Sequence, residues 1–484
     1  MLNRSFKQFK FQHQKKINQV FYVEKKIKNN NQILNLIENF LKEKNSFIFE
    51  SVEKGAKGRY TIFGKKPDKI WEFNNNKSFK IQNEKKIPVK GKPQNIIEKI
   101  LENFKFKTPN KLPPICSLIS GYFAYDTIRY IERIPNDCKD DLKLPDVRLL
   151  RPTVLIIHDN LKKKIFYIVN VFKDESILNY KKKYDDIKKQ INLMIRESKF
   201  SLTSYNSSEV EKKIKVKSNT SKSQYINMVK KAKKFIKIGD IFQVVLSQRF
   251  EAKLTKRPLD IYKKLRITNP SPFMFFFNFN DFQIIGASPE ILVRLRNNII
   301  TIRPIAGTRP RGRTKKQDNF YKKDLLRDKK ELAEHLMLLD LGRNDVGKVT
   351  KVNSVKVTEK FLIEKYSHVM HIVSNVEGAH NKTLSKLNSL LAGFPAGTVS
   401  GAPKIRAMEI IDELEKSKRK VYAGGIGYFS SNGDFDTCIA LRTAVTKKDK
   451  FYVQAGAGIV ADSKPNKEYE ETVNKAKALI SALK

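Results

Sequence analysis

Two short acidic faces stand out among the residues that could carry chemistry. Glu331 and Glu334 lie three residues apart in KKELAEHLMLLDLGRND, and Glu468 and Glu471 repeat that spacing near the end of the chain. Residues at i and i+3 share one face of a helix, so each pair would present two carboxylates together. Carboxylate oxygens suit a hard cation such as Mg²⁺. Taken alone, each pair also fits a solvated surface, because Glu471 and Lys475 have the i,i+4 spacing of an ordinary ion pair.

An arginine among small residues is the second pattern. The segment FDTCIALRTAV predicts one β-strand. Its alternation would place five residues on one face, namely Asp436, Cys438, Ala440, Arg442 and Ala444. A guanidinium with open space above it suits a carboxylate. In the next predicted strand Gly456 and Gly458 share a face, which indicates either close approach of a ligand or a bulge.

The segment FPAGTVSGAP, before the predicted helix KIRAMEIIDELEKS, is the third pattern. Free N–H groups at a helix start can bind an anion, and Pro403 suits an early helical position. The segment lacks the GK[ST] ending of a nucleotide-binding loop, and a simple capped turn is the alternative. Three histidines, His335, His368 and His371, lie in the same half of the chain. One of them could move a proton near neutral pH, although a histidine in a mixed strand is more often structural.

The overall composition limits the classes of protein to which this chain can belong. The 484 residues carry a formal net charge of +46 and only three cysteines. The scattered cysteines argue against a disulfide framework or a zinc site and favour a reducing cytosol. The N-terminal segment lacks the apolar core of a secretory signal, and no window approaches a membrane span. The lysines are dispersed, which favours solvated surfaces over nucleic-acid binding, and the charge would attract anions.

The order of predicted elements indicates an α+β fold. Strands paired through hairpins, such as VLIIHD with KIFYIVNVF, are interspersed with helices without strict βαβ alternation. FIFESVEKGAKGRYTIFG predicts two strands joined by a glycine-containing loop. The Ser-rich stretch from Phe200 predicts a linker. We therefore divide the chain into residues 21–195, a linker at 196–220, and a second segment at 221–484.

Several strings in the second segment resemble those of the chorismate-utilising enzymes. RPIAGTRPRG, ELAEHLMLLDLGRND, YSHVMHIVSNVEG, FPAGTVSGAPKIRAMEII, YAGGIGYFSSNGDFDTCIALRTAV, VQAGAGIV and KEYEETVNKA occur in that order. The first segment carries FESVEKGAKGRYTIFG and GYFAYDTIRYIE, which are similar to the N-terminal, tryptophan-binding region of the anthranilate synthase component I branch. The resemblance implies an α/β sandwich of stacked antiparallel sheets surrounded by helices.

The resemblance also implies roles for particular residues. The Mg²⁺ ligands would be Glu334 and Glu471. Proton transfer would involve His371 and Glu290, with Thr398 close to the ring. Chorismate would contact seven residues, namely Gly307, Thr308, Tyr422, Arg442, Gly456, Ala457 and Gly458. Tryptophan, as feedback inhibitor, would bind at Ser51, Pro272, Phe273 and Met274.

Two positions separate the reactions of this family. Members that add water to the ring have a lysine where this chain has Gln243, and a neutral amide cannot act as a base. Members that form aminodeoxychorismate typically have a lysine where this chain has Ala306, which carries no nucleophile. The expected reaction is therefore attack of ammonia on chorismate, giving anthranilate and pyruvate, the first step of tryptophan biosynthesis.

Partners and alternatives follow from the same resemblance. The sequence contains no cysteine nucleophile motif for glutamine hydrolysis, so we expect a separate glutaminase subunit, in a heterotetramer with two copies of each chain. We expect a cytoplasmic enzyme with Mg²⁺ as cofactor and no membrane or nucleic-acid partner. An aminodeoxychorismate synthase component remains the alternative within the family, and a basic nucleic-acid-binding protein is the alternative outside it.

Overall fold

The structure is a computed structural model that describes residues 2–27, 31–51, 58–82, 84–200, 214–366 and 369–484. His368, the predicted loop between FIFES and GRYTIFG, and most of the predicted linker lie outside these ranges. None of the helices in the described ranges is long and apolar enough to cross a membrane. All three cysteines are buried and unpaired.

Strands make up the centre of the molecule. Those before the predicted linker are β1 Gln19–Lys26, β2 Ser46–Glu50, β3 Tyr60–Asn74, β4 Lys77–Gln82, β5 Lys85–Val89, β6 Leu118–Phe123, β7 Val147–Asp159 and β8 Lys164–Val171. Those after it are β9 Val216–Ser218, β10 Gln243–Lys253, β11 Phe273–Asn278, β12 Phe282–Ser288, β13 Ile291–Arg296, β14 Ile299–Ile302, β15 Ile305–Pro310, β16 Lys356–Lys365, β17 Val369–Ala379, β18 Gly401–Ala402, β19 Gly425–Ser430, β20 Phe435–Ile439, β21 Thr443–Lys447 and β22 Lys450–Ile459.

Helices pack around these strands. They are α1 Phe6–Gln14, α2 Asn31–Phe40, α3 Pro93–Asn103, α4 Tyr180–Lys199, α5 Lys222–Lys237, α6 Pro258–Thr268, α7 Lys315–Leu325, α8 Lys329–Gly347, α9 Lys386–Ala392, α10 Lys404–Leu414 and α11 Pro465–Ile480. Short 3₁₀ helices span Pro114–Cys116, Tyr125–Tyr130, Gly397–Val399 and Ser481–Leu483. The start of α5 is as the sequence predicts, since Ser221 caps it in a capping box with Gln224.

Two long strands, β3 and β7, connect two arms of antiparallel sheet. One arm runs from β3 through β2, β11, β12, β21, β22 and β10. The other runs from β7 through β6, β19, β20, β13, β14 and β17. One buried cluster contains Phe275 and Ile284 from the first arm and Ile426 and Cys438 from the second, so the arms stack. The predicted α+β sandwich of antiparallel sheets with helices outside is confirmed.

Strands from both predicted segments pair with each other. β2 pairs with β11, and β6 pairs with β19. Helix α4 extends to Lys199 and β9 starts at Val216, so regular structure enters both ends of the predicted linker. The division into segments at 21–195 and 221–484 stays a prediction. The sequence interpretation missed α1, which a Ser5 capping box starts, and the exposed strand β16.

Candidate functional site

One carboxylate of α8 meets the strands β10 and β22. Gln243 Nε2 donates to Glu334 Oε1 over 3.3 Å. In β22, Gly458 lies opposite Val245 of β10. A Cβ atom at Gly458 would lie 2.6 Å from Gln243 Nε2, so any larger residue there would displace this amide from its present position. The contact joins α8 to the sheet through residues 91 positions apart in sequence.

The two acidic helix faces of the sequence interpretation lie within electrostatic range of each other. Burial is the main cause that raises the pKa of Glu334, and the charges of Glu331 and Glu471 raise it further. Burial likewise raises the pKa of Glu468, to which the charge of Glu471 contributes. Carboxylates from α8 and α11 therefore repel each other across one space, and a bound cation would relieve that repulsion.

The residues present fit a magnesium ion that takes most of its coordination shell from water and substrate. Within the described ranges, no three or more His, Cys, Asp or Glu side chains cluster as metal ligands. Mg²⁺ commonly takes one or two protein carboxylates and fills its remaining positions with water and substrate oxygens. Glu334 and Glu471 could supply the protein share of such a shell.

His371, in β17, is held by the strand beside it. Its Nδ1 lies 2.9 Å from the carbonyl oxygen of Gly307 and 3.1 Å from Thr308 Oγ1. A carbonyl only accepts, so Nδ1 carries the proton and Nε2 is left as an acceptor. Burial lowers the pKa of His371, and the charge of Arg442 lowers it further. Gly307 has φ +66°, a conformation that suits glycine in the bulge between β15 and β17.

Arg442 lies beside His371 but not as the sequence pattern predicts. The predicted single strand FDTCIALRTAV is wrong, because β20 ends at Ile439 and β21 begins at Thr443. Arg442 has φ +45°, an uncommon conformation for a non-glycine residue, so the alternation is interrupted there. Ala287 N donates to the Arg442 carbonyl oxygen over 3.1 Å. This kink, and not strand alternation, aims the guanidinium.

The Arg442 side chain lines a cavity of about 670 Å³ together with His371, Tyr366, Glu471 and Lys475. Arg442 has no ion pair with any carboxylate in the described ranges. Surrounding protein lowers the pKa of this guanidinium through desolvation, which Tyr366 partly opposes. An arginine without a carboxylate partner on the wall of a cavity can bind a substrate carboxylate.

Tyr422 and the glycines of β22 pack behind the cavity-lining residue Lys475 and do not themselves line the 670 Å³ cavity. A Cβ atom at Gly456 would lie 2.8 Å from the Tyr422 hydroxyl, and Gly456 is paired with Ser247 of β10. Burial raises the pKa of Tyr422 to about 12, so its hydroxyl stays protonated. Ala457, between the glycines, is fully buried opposite Leu246.

Lys475 is a site residue that the sequence interpretation missed. Its Nζ donates to the carbonyl oxygen of Gly456 over 3.0 Å and lies 2.7 Å from Glu471 Oε1. The i,i+4 spacing of Glu471 and Lys475 indicated only a surface pair. Both side chains line the 670 Å³ cavity. Sequence spacing alone cannot distinguish a helix face turned to bulk solvent from one turned to a cleft.

Glu290 and Thr398 form a separate buried pair. Thr398 Oγ1 donates to Glu290 Oε2 over 3.2 Å. Burial raises the pKa of Glu290 to about 8, while Thr398 and the backbone of Ile305 oppose that shift. Both side chains line a small cavity of about 30 Å³, whereas His371 lines the large one. The structure thus places Glu290 and His371 on different cavities, linked through β15, which contains Ile305 and Gly307.

The loop before α10 is not a free helix start. Gly401 and Ala402 form β18, which pairs with Val244 and Gln243 of β10. Pro403 is the N-cap residue of α10, one position earlier than the sequence predicts, and α10 ends at Leu414. The loop therefore uses its backbone to join the strand that carries Gln243.

His335 is structural. It is fully buried, and its Nε2 lies 2.7 Å from Ser374 Oγ. Burial lowers its pKa to about 4, so it stays neutral at physiological pH. Of the described histidines that the sequence interpretation named, His371 is the one that lines the large cavity.

The residues predicted to bind an inhibitor converge at the pairing of β2 with β11. Met274 is paired with Glu50, so Ser51 follows directly beside Phe273. Met274 is fully buried, while Pro272 lines the 670 Å³ cavity. The Ser51 hydroxyl is buried and has no hydrogen-bond partner in the described part of the chain. A buried hydroxyl without a partner is costly, and a ligand could satisfy it.

Comparisons with known proteins agree with this arrangement. A family model described as chorismate binding enzyme matches residues 45–481. A protein of Cereibacter sphaeroides named anthranilate synthase component 1 is 48% identical over 90% of this chain and 88% of its own length. One from Aquifex aeolicus with the same name is 45% identical over 92% of this chain and 90% of its own length. The solved anthranilate synthase component I of Streptococcus pneumoniae superposes with a TM-score of 0.78 at 37% identity, over 89% of this chain and 94% of that one.

Proposed function

The chain belongs to the family of chorismate-binding enzymes, and from this premise we propose that it converts chorismate and ammonia into anthranilate and pyruvate. The observation that carries the proposal is Arg442, whose guanidinium lacks a carboxylate partner in the described ranges and lines the 670 Å³ cavity beside His371. Chorismate carries two carboxylates, which such a guanidinium and a bound cation would neutralise. The relatives named anthranilate synthase component 1 support this reaction among those of the family.

Two buried groups have complementary protonation states for this reaction. Glu290, with a pKa raised to about 8, is mostly protonated at neutral pH. It lines the small cavity and not the one that His371 lines, so it would donate a proton to the departing C4 hydroxyl of a substrate that reaches both cavities. His371, with a lowered pKa and its proton on Nδ1, is neutral and can accept the C2 proton at Nε2. Loss of that proton releases enolpyruvate as pyruvate and makes the ring aromatic. When the surroundings of two titratable groups in one active site shift their pKa values apart, one group commonly acts as the acid and the other as the base.

Two positions favour amination over the other reactions of the family. Gln243 donates to Glu334, and an amide cannot activate water as a base. Ala306 is buried in β15 opposite Ile372, and its methyl group cannot form a covalent intermediate. Direct attack by ammonia needs neither lysine.

Glu334 and Glu471 would hold Mg²⁺ in the proposed enzyme. When bound, the ion would polarise a substrate carboxylate and offset its charge. The protein itself contributes the acidic faces of α8 and α11, which packing keeps close together. Their mutual repulsion helps to raise the pKa of Glu334.

Ammonia, inhibitor and location complete the proposal. We infer a glutaminase partner subunit, two of each chain per assembly, because ammonium ion predominates over ammonia at neutral pH and the relatives' name specifies a component 1. Tryptophan would inhibit by binding at Ser51, Pro272, Phe273 and Met274. A cytosolic location is supported by three cysteines that are all free thiols.

One assay tests the reaction. The purified chain is incubated with chorismate, Mg²⁺ and ammonium, and the products are measured by fluorescence and mass. Anthranilate and pyruvate are expected, and omission of Mg²⁺ is expected to abolish them. Aminodeoxychorismate as the main product would favour the alternative within the family. That product would also contradict the role given to Ala306, whereas a hydroxylated ring product would contradict the role given to Gln243.

A further inference from the structure

Arg419 and Glu415 form a buried ion pair in the segment between α10 and β19. Their exposed fractions are 3% and 7%. Arg419 Nη2 lies 2.5 Å from Glu415 Oε1, and Arg419 Nε lies 3.0 Å from Glu415 Oε2. A two-pronged contact of this kind fixes orientation as well as distance. Burying an ion pair contributes little net stability, so its distinctive result is geometry.

The same guanidinium reaches two segments that carry site residues. Arg419 Nη1 donates to the carbonyl oxygen of Val399 over 2.7 Å, and Nη2 donates to that of Val245 over 2.6 Å. Val399 directly follows Thr398, whose hydroxyl donates a hydrogen bond to Glu290. Val245 lies two residues after Gln243 in β10 and is paired with Gly458.

Glu415 makes a further contact with β10, the strand that also contains Val245. Its Oε1 accepts hydrogen bonds from Ser247 N over 2.7 Å and from Ser247 Oγ over 2.8 Å. Ser247 is paired with Gly456 of β22. The guanidinium of Arg419 also lies 5.6 Å from the ring centroid of Tyr422, within range of a cation–π interaction.

We propose that Arg419 is a positioning residue which, through Glu415 and two backbone carbonyls, aligns the Thr398 loop with strands β10 and β22 for the reaction. This inference rests on the proposed function. The buried ion pair contacts the Thr398 loop and β10 directly and reaches β22 through the pairing of β10 with β22. Misplacement of reacting groups by about 1 Å can cost on the order of 100-fold in rate.

The Arg419→Lys variant tests the inference. Lysine keeps the charge but lacks the planar fork, so it cannot make all four contacts in their present directions. With ammonium as the nitrogen source, kcat is expected to fall about 100-fold. The alkaline limb of the kcat profile is expected to move to higher pH, because the Thr398 hydrogen bond lowers the pKa of Glu290 and would be disturbed.

Arg151→Lys is the matched control. Arg151 is 8% exposed, binds Asp68 through two prongs, also binds Asp174, and stacks on Phe172 at 4.0 Å. Its strand, β7, carries none of the proposed site residues. We expect Arg151→Lys to lower Tm by about as much as Arg419→Lys does, while its kcat and pH profile stay the same as those of the wild type.

Three results would overturn the inference. They are a wild-type kcat and pH profile in Arg419→Lys, a fall in kcat without movement of the alkaline limb, or equal effects in Arg151→Lys. If Arg419→Lys does not fold, Glu415→Gln takes its place. For this variant we expect a smaller fall in kcat and the same movement of the alkaline limb to higher pH. If the wild-type chain makes no anthranilate, the proposed function fails separately. In that case, calorimetric measurement of chorismate binding tests the positioning role of Arg419. We expect about 10-fold weaker binding in Arg419→Lys and unchanged binding in Arg151→Lys. Equal binding by Arg419→Lys and the wild type would contradict the inference.

Discussion

The Nδ1 atom of His371 lies 2.9 Å from the carbonyl oxygen of Gly307, and this contact determines which ring nitrogen is available for chemistry. The carbonyl must accept, so the ring proton sits on Nδ1 and the acceptor is Nε2. The lowered pKa of His371 keeps the ring neutral at physiological pH. The backbone bulge at Gly307 therefore leaves Nε2 as the acceptor that the proposed role of His371 as a base requires.

Replacing His371 should remove that base. We expect His371→Ala to lower kcat between about 100-fold and 10,000-fold in the ammonium assay, the usual contribution of a general base. Chorismate binding, measured by calorimetry, should change little. The control is His380→Gln, at the residue that follows β17, whose Nε2 contacts Ser389. Normal turnover in His371→Ala would exclude the proposed role.

Glu290 should make turnover and stability depend on pH. Its pKa of about 8 predicts that kcat falls as pH rises through 8, since the proton-donating form is lost. The folded pKa lies above the unfolded value, so the folded state binds more protons between the two. Stability should therefore fall as pH rises from about 4.5 to about 8. Glu290→Gln should abolish both dependences, which rate profiles and Tm measurements at several pH values would reveal. A pH-independent difference in Tm between variant and wild type would contradict the assignment.

Neutralising Glu334, one of the two proposed metal ligands, should stabilise the protein in the absence of Mg²⁺. Burial and the charges of Glu331 and Glu471 raise the pKa of Glu334, so Glu334→Gln removes repulsion and should raise Tm without Mg²⁺. It should also reduce the Tm increase on adding Mg²⁺ and lower kcat at least about 100-fold. Asp340→Asn, on the exposed face of α8, is the control. An unchanged Mg²⁺ response in Glu334→Gln would remove this carboxylate from the ligand set.

Feedback inhibition should depend on the Ser51 hydroxyl. This buried group has no partner in the described part of the chain, so Ser51→Ala should cost little stability. Loss of one hydrogen bond to bound tryptophan should weaken inhibition about 10-fold, in line with about 1–3 kcal/mol for an unsatisfied group. Activity without tryptophan should be unchanged. Ser78→Ala removes another buried hydroxyl of the same kind, in β4, and should leave inhibition intact. Wild-type activity that resists excess tryptophan would contradict the site itself.

The sequence by itself determined the class of fold and many of the elements, and it supplied the candidates for the reacting side chains. Periodicity and capping depend on neighbours along the chain, so α5 and the two acidic faces could be predicted locally. The order of the motifs indicated the family. Ala306 and Gln243 narrowed the reaction because their side-chain chemistry does not depend on the fold.

Only the tertiary structure decided which of those residues meet. The contact between Gln243 and Glu334 spans 91 positions, and packing of α8 against the sheet creates it. The kink at Arg442 arises where a strand is interrupted, which alternation of residue types cannot reveal. Lys475 is exposed, and it also lines the 670 Å³ cavity because of what packs opposite α11. Such distant contacts depend on the whole chain, whereas sequence patterns report only on neighbours.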